Sequence, residues 1–196
     1  MPQKDPKSVS ERFAGKGVFP YQMAFTLLIP LRRLLLSPAT LIDRLDLADS
    51  YHVLEIGPGP GYFSIEAAKH LPQGKLYLYD IQQEMLDHAR RRLVKRGYTN
   101  VEYHRAGGAR FPFADNTFDR IFLVTVMGEV ANRDVYVQEI ARTLKTGGVV
   151  SVTEMKGDPD KLEEGELNAL FTAAGLEKYR QYRTFAGLTV NYKKAA

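Results

Sequence analysis

The residues able to carry chemistry begin in the stretch VLEIGPGPGYFS, Val53 to Ser64, where an acid, Glu55, is followed by glycine at every second position, Gly57, Gly59 and Gly61. A glycine loop between a strand and its helix lets a ligand approach the backbone, with the helix N-terminal N–H groups pointing at it. Asp80, closing the next apolar run KLYLYD, is placed to accept hydrogen bonds from two ribose hydroxyls. The glycine spacing departs from the G-x-G-x-x-G of dinucleotide loops, because Tyr62 stands where the third glycine would fall. Glu55 would repel a pyrophosphate but could hold an ammonium, directly or through water. Together these favour a nucleoside bearing an amino-acid group over NAD.

Elements that must position these residues follow in alternation. YHVLEI reads as a strand and YFSIEAAKHL as a helix; KLYLYD as a strand and QQEMLDHARRRLVKRG as a helix stopped by Gly97. NVEYHR is a third strand, AGGARFPFADNT a loop, FDRIFLVTV a fourth strand, NRDVYVQEIARTLKTGG a helix and VVSVTEM a fifth strand. Their near-continuous apolar runs suit a parallel sheet covered on both faces. After the helix KLEEGELNALFTAAG, LEKYRQYRTF and LTVNYKK are too close for a crossover, which predicts an antiparallel hairpin at the sheet edge. Ser37 and Pro38 mark the start of a further helix, SPATLIDRL. The expected fold class is α/β: a doubly wound, Rossmann-like, mostly parallel seven-stranded sheet with an antiparallel C-terminal edge hairpin, preceded by an N-terminal helical segment. The expected divisions are 1–18 as a mobile leader, 19–47 as a helical lid segment and 48–196 as the ligand-binding domain.

The 196 residues and 44% hydrophobic content suit one domain with a substantial core. With no cysteine, disulfides, thiolate metal sites and cysteine nucleophiles are excluded, and a cytoplasmic setting fits. The 27 Lys and Arg against 23 Asp and Glu form a mixed surface, so no nucleic-acid partner is expected. MAFTLLIPLRRLLLSPATLI, Met23 to Ile42, is broken by Pro30, Arg32, Arg33 and Pro38 well below the roughly 20 apolar residues of a span. It packs on the domain or lies on a membrane surface, leaving peripheral membrane contact open. His52, His70, His88 and His104 are scattered, so no metal site is expected. The run RRRLVKRG, Arg90 to Gly97, reads as a solvated helix end.

In their order and spacing, VLEIGPGPG, LYLYD, ARFPFADNTFDRIFLVTV and ARTLKTGGVVSVTE resemble class I S-adenosylmethionine-dependent methyltransferases, of the small type grouped with ubiquinone- and menaquinone-biosynthesis enzymes. The resemblance covers about Tyr51 to Met155. It implies S-adenosylmethionine as cofactor and S-adenosylhomocysteine as product. Glu55, Gly57, Pro58, Gly59 and Gly61 would wall the methionyl part, Asp80 would hold the ribose, and Ile81 and Gln82 would line the adenine. Ala109 and Arg110 would offer backbone partners to the adenine, and Thr125 would face the cofactor from the end of the fourth strand. One departure stands out: the family usually has an acid that accepts from the adenine amino group, and this chain has Gly108. Losing such a bond would cost roughly 1.5–3 kcal/mol, or about tenfold to a hundredfold in affinity.

Methyl transfer is an in-line displacement that depends on positioning and exclusion of water, with a base needed only if the acceptor loses a proton. Glu129 and Glu154 are the candidate catalytic and acceptor-facing carboxylates, and Tyr21, Met23 and Phe25 the candidate lid over a small-molecule or lipid-like acceptor. An S-adenosylmethionine-binding protein with weak or no catalysis and a scaffold or regulatory role is the alternative expectation. An NAD-dependent oxidoreductase on the same fold is disfavoured by the glycine spacing.

Overall fold

The computed structural model describes Tyr21, residues 36–108 and residues 110–195. Met23, Phe25, Ala109 and most of the expected leader and lid lie outside the described residues. The described elements run α1 (Pro38–Leu45), β1 (His52–Ile56), α2 (Ser64–Lys69), β2 (Lys75–Asp80), α3 (Gln83–Val94), β3 (Val101–Arg105), β4 (Phe118–Val124), a 3-10 turn (Met127–Glu129), α4 (Arg133–Thr143), β5 (Leu144–Met155), α5 (Glu164–Ala173), β6 (Leu176–Arg183) and β7 (Gly187–Lys194). The strands form a single seven-stranded sheet in the order β3-β2-β1-β4-β5-β7-β6. Strands β1 to β5 pair in parallel, and β7 runs antiparallel between β5 and β6. The hairpin thus ends the sheet as expected, with its second strand inserted toward the centre.

Each face of the sheet buries its own core. Val53, Leu76, Leu78 and Phe122 pack under α1, α2 and α3, while Leu54, Ile121, Val150, Val152 and Val190 pack under α4 and α5. Strands covered on both sides must be apolar on both, which is why their sequence lacks strict alternation. In α1, the Thr40 N–H donates to Ser37 Oγ at 3.1 Å and Pro38 takes the first helical position, where its missing N–H costs nothing.

The helix expected through Gly148 ends earlier. Leu144 leaves α4 and pairs with Phe118, and the chain continues into β5 through Gly147 at φ +75°. Leu144 fits the helical spacing of apolar residues, but its burial is satisfied equally by sheet pairing at the N-terminal end of β4. The chain order reverses on either side of β1, so the loop after β1 opens at the topological switch point, where doubly wound sheets hold ligands.

Candidate functional site

Gly57, Gly59 and Gly61 all adopt the left-handed backbone that glycine alone enters freely, at φ +66°, +52° and +77°. Two also face hard steric limits. A Cβ on Gly57 would stand 2.5 Å from Val126 Cγ2, and one on Gly61 would stand 3.0 Å from Ala89 Cβ. Gly61 therefore lets α3 close against the loop. The loop is tied down from outside by Arg92 of α3, whose Nη1 donates to the Pro60 carbonyl at 2.7 Å, and from beneath by the Gly57 N–H to the Tyr79 carbonyl at 2.9 Å. Arg92 belongs to the run read as a solvated helix end. It is instead half-buried, and burial lowers its pKa, while Arg90 stacks over the Tyr103 ring at 4.5 Å.

Glu55 is 2% exposed and accepts from Ser64 Oγ at 2.5 Å. Burial raises its pKa to about 8, outweighing the opposing Ser64 bond. At neutral pH the ligand-free carboxyl is mostly protonated, so the repulsion of a pyrophosphate expected from the sequence is weaker than a fixed charge would give. An arriving ammonium would restore the charge.

Asp80 lies at the end of β2 at 8% exposure. Its carboxylate accepts the backbone N–H groups of Gln82, Gly59 and Ile81, with Gln82 N at 2.9 Å. Burial raises its pKa to about 6 against the pull of those donors. The acid is thus oriented by both the glycine loop and the start of α3. Beside it Ile81 is 56% exposed, an apolar surface at the position expected to line an adenine.

The loop after β3 is held by a charged clasp absent from the sequence reading. Glu139 Oε2 accepts the Phe111 N–H at 2.7 Å, and Arg142 donates to the Phe111 and Phe113 carbonyls at 3.2 and 2.9 Å while pairing with Glu139 at 2.7 Å. The i, i+3 spacing of Glu139 and Arg142 was visible, but not its target. Gly107 and Gly108 precede this clasp, and a Cβ at either meets no atom within 4 Å. The exposed Arg110 borders the same opening.

Thr125, at the carboxyl end of β4, holds φ +54°, a costly conformation for a β-branched residue. Its hydroxyl donates to the Val124 carbonyl at 2.7 Å and its N–H to the Thr153 carbonyl at 2.8 Å, which tie the strained residue to the ends of β4 and β5. The next turn carries Glu129, half-buried. That turn is pressed against the loop after β5, since a Cβ on Gly128 would stand 2.1 Å from the Asp160 carbonyl. Glu154 is 3% exposed on the face covered by α4 and α5. Its pKa is raised to about 8 by burial and by Asp158, partly offset by Arg133 and Lys161. Neither of its carboxylate oxygens has a well-formed hydrogen bond among the described residues. Glu129 and Glu154 therefore stand in different settings: one in the turn beyond β4, the other buried near the end of β5. Tyr21 is half-buried.

His52 meets the Tyr77 hydroxyl at 3.2 Å and His104 meets Glu102 at 3.2 Å. Among the described residues no three His, Asp or Glu side chains gather as a metal site. No helix among them is long and apolar enough to cross a membrane.

The methyltransferase-domain family model matches residues 53–148, from β1 into the start of β5. The ubiquinone/menaquinone biosynthesis C-methyltransferase UbiE of Pseudomonas entomophila is 33% identical over 112 residues, 56% of this chain and 44% of that protein. The chain thus spans less than half the length of the curated relatives it matches. A S-adenosylmethionine-dependent methyltransferase from Aquifex aeolicus superposes with a TM-score of 0.83 at 24% identity, covering 89% of this chain and 98% of the other. The [4+2]-cyclase SpnF superposes at 0.73 and 19% identity, over 84% and 80% of the two chains. By matched domain, by strand order and by relatives, the chain resembles the class I S-adenosylmethionine-dependent methyltransferases, and S-adenosylmethionine is the cofactor to which its crevice corresponds.

Proposed function

We propose that the protein transfers a methyl group from S-adenosylmethionine to a small-molecule acceptor. The observation that carries this reading is Asp80, held by three backbone N–H groups directly beside the left-handed glycine loop. That pairing suits a ligand with vicinal hydroxyls at one end and a compact amino-acid group at the other. In this assignment Asp80 accepts from the ribose, Ile81 covers one face of the adenine, and Glu55 compensates the ammonium through water or directly. The backbone of the Gly57–Gly61 loop closes around the methionyl chain. When bound, S-adenosylmethionine supplies an electrophilic methyl group on a sulfonium.

What the chain itself contributes is placement and dryness. Buried Glu55 and nearly buried Asp80 anchor a ligand at two points, and the 3-10 turn after β4 supplies the wall on which the acceptor rests. Glu129, in that turn, is the residue assigned to receive a proton if the acceptor is a hydroxyl, thiol or enolisable carbon. Glu154, buried in β5, is assigned no step of the transfer. An acceptor screen with methyl-labelled S-adenosylmethionine tests this: label on a small molecule, lost in Asp80→Ala, supports it, and no transfer to small molecules, lipids or macromolecules despite cofactor binding contradicts it.

A second reading, a binding protein without methyl transfer, draws on Gly108, at the position where the resembled family is expected to have an acid, and on the fold shared with a [4+2]-cyclase. Cofactor bound but never consumed would favour it.

A further inference from the structure

At the amino-terminal end of the parallel strands, away from the crevice, a cavity of about 80 Å³ is walled by Arg44, Arg120, Arg180 and Lys193, with Asp46 and Asn191. That is room for more than the single water admitted by ~10–15 Å³. None of the four cations is ion-paired among the described residues. They are held mainly by neutral groups, with Arg180 also drawn toward Asp46. Arg44 donates to Thr189 Oγ1 at 3.0 Å and lies over the Tyr182 ring at 4.8 Å, and burial lowers its pKa. Arg120 is spent on the Leu45, Asp46 and Asp119 carbonyls and on the Tyr51 ring. Arg180 and Lys193 converge on one side chain, lying 4.8 and 5.7 Å from the Tyr179 ring centroid.

This arrangement is electrostatically incomplete. A half-buried guanidinium without a carboxylate loses hydration and gains no ion pair, and like charges gathered round one cavity repel. Asp46 and, across the β6–β7 register, Glu177 opposite Lys193 are the nearby acids. They leave the cavity positive. A second observation narrows the missing ligand. Asn191 Oδ1 is buried without a hydrogen-bond partner among the described residues, while Asn191 Nδ2 donates to the Arg44 carbonyl at 2.9 Å. The cavity therefore offers several cationic donors and one acceptor in need of a donor. A carboxylate is acceptor-only at neutral pH, whereas inorganic phosphate keeps a P–OH and presents several acceptor oxygens as well.

We propose that this cavity is a phosphate-binding site, independent of the cofactor crevice, with Arg44, Arg180 and Lys193 on the anion and Asn191 Oδ1 accepting a ligand hydroxyl, the P–OH of inorganic phosphate or a glycerol O–H of a lipid headgroup. The phosphate source is the free inorganic ion, or the hydroxyl-bearing headgroup of phosphatidylglycerol. The test is a titration of the full chain with sodium phosphate at ionic strength held constant with chloride, followed by amide signals of residues 44–46, 147–149 and 179–193. A parallel sedimentation uses phosphatidylglycerol vesicles. The expected result is saturable binding that weakens at least tenfold in Arg180→Gln with Lys193→Gln, a double variant whose affinity for S-adenosylhomocysteine is unchanged. Saturation by inorganic phosphate assigns the free ion, and cosedimentation lost in the double variant assigns the headgroup; both support the site. No saturable binding to either probe, or binding equal in the double variant, overturns it.

Discussion

Ser64 Oγ donates to Glu55 Oε2 at 2.5 Å, joining the first turn of α2 to the end of β1 across the glycine loop. Because burial raises the Glu55 pKa to about 8, the carboxyl is mostly protonated before a ligand arrives. An ammonium drawn to it would favour the ionised form and expel the proton. Binding of S-adenosylhomocysteine is therefore expected to release protons at pH 7 and to tighten as pH rises toward about 8. Calorimetry in two buffers of different ionisation enthalpy measures this directly. Release should vanish in Glu55→Gln; no release in the parent would place the ammonium away from Glu55.

The loop geometry sets a steric prediction. Gly57→Ala meets both a left-handed φ of +66° and Val126 Cγ2 at 2.5 Å. Backbone strain and overpacking together should cost roughly 2–4 kcal/mol. Adding Val126→Ala removes the clash but not the strain, so denaturant unfolding should show partial recovery relative to Val126→Ala alone. Full recovery would mean the backbone conformation carries no cost, and no loss at all would contradict the loop as described.

Buried Glu154 predicts a pH-dependent stability. Its folded pKa, raised to about 8 from an ordinary 4.5, means the folded state holds the proton more tightly than the unfolded state. Its contribution is then fully present below about 4.5 and is lost as pH rises toward 8. Glu154→Gln should differ little from the parent near pH 4.5 and become progressively more stable than it by pH 8, as midpoints of thermal unfolding would show. A difference independent of pH would indicate that Glu154 is ionised and compensated in the folded protein.

Much of this was legible because the fold repeats one instruction. Apolar runs such as KLYLYD and FDRIFLV, alternating with helical spacing, define a sheet covered on both faces, and Asp80 falls at the end of its strand wherever register varies slightly. The α4–β5 boundary was not legible, since Leu144 satisfies helical and strand burial alike. Nor could the sequence say that Arg92, one cation among several, reaches the Pro60 carbonyl, or that burial leaves Glu55 protonated against the opposing Ser64 bond. Those facts depend on which side chains meet across elements. The left-handed backbone of Thr125 left no signal either, because threonine is chosen there against its local preference.

The missing acid of the adenine site gives a gain-of-affinity prediction. Neither Gly107 nor Gly108 has a positive φ or an atom that would clash with a Cβ, so an aspartate fits at either. One of Gly107→Asp and Gly108→Asp should tighten S-adenosylhomocysteine binding by about tenfold or more, the value of a charge-assisted bond to the amino group. If neither does, the adenine is not presented to this loop.

We propose that Asp80 and the glycine loop form one cofactor site. The most direct test is calorimetric titration of the purified protein with S-adenosylhomocysteine beside Asp80→Ala, with folding of the variant checked by circular dichroism. One-to-one binding is expected in the parent, with its loss in a folded Asp80→Ala. Equal binding in both, or binding of NADH in preference to S-adenosylhomocysteine, would contradict it.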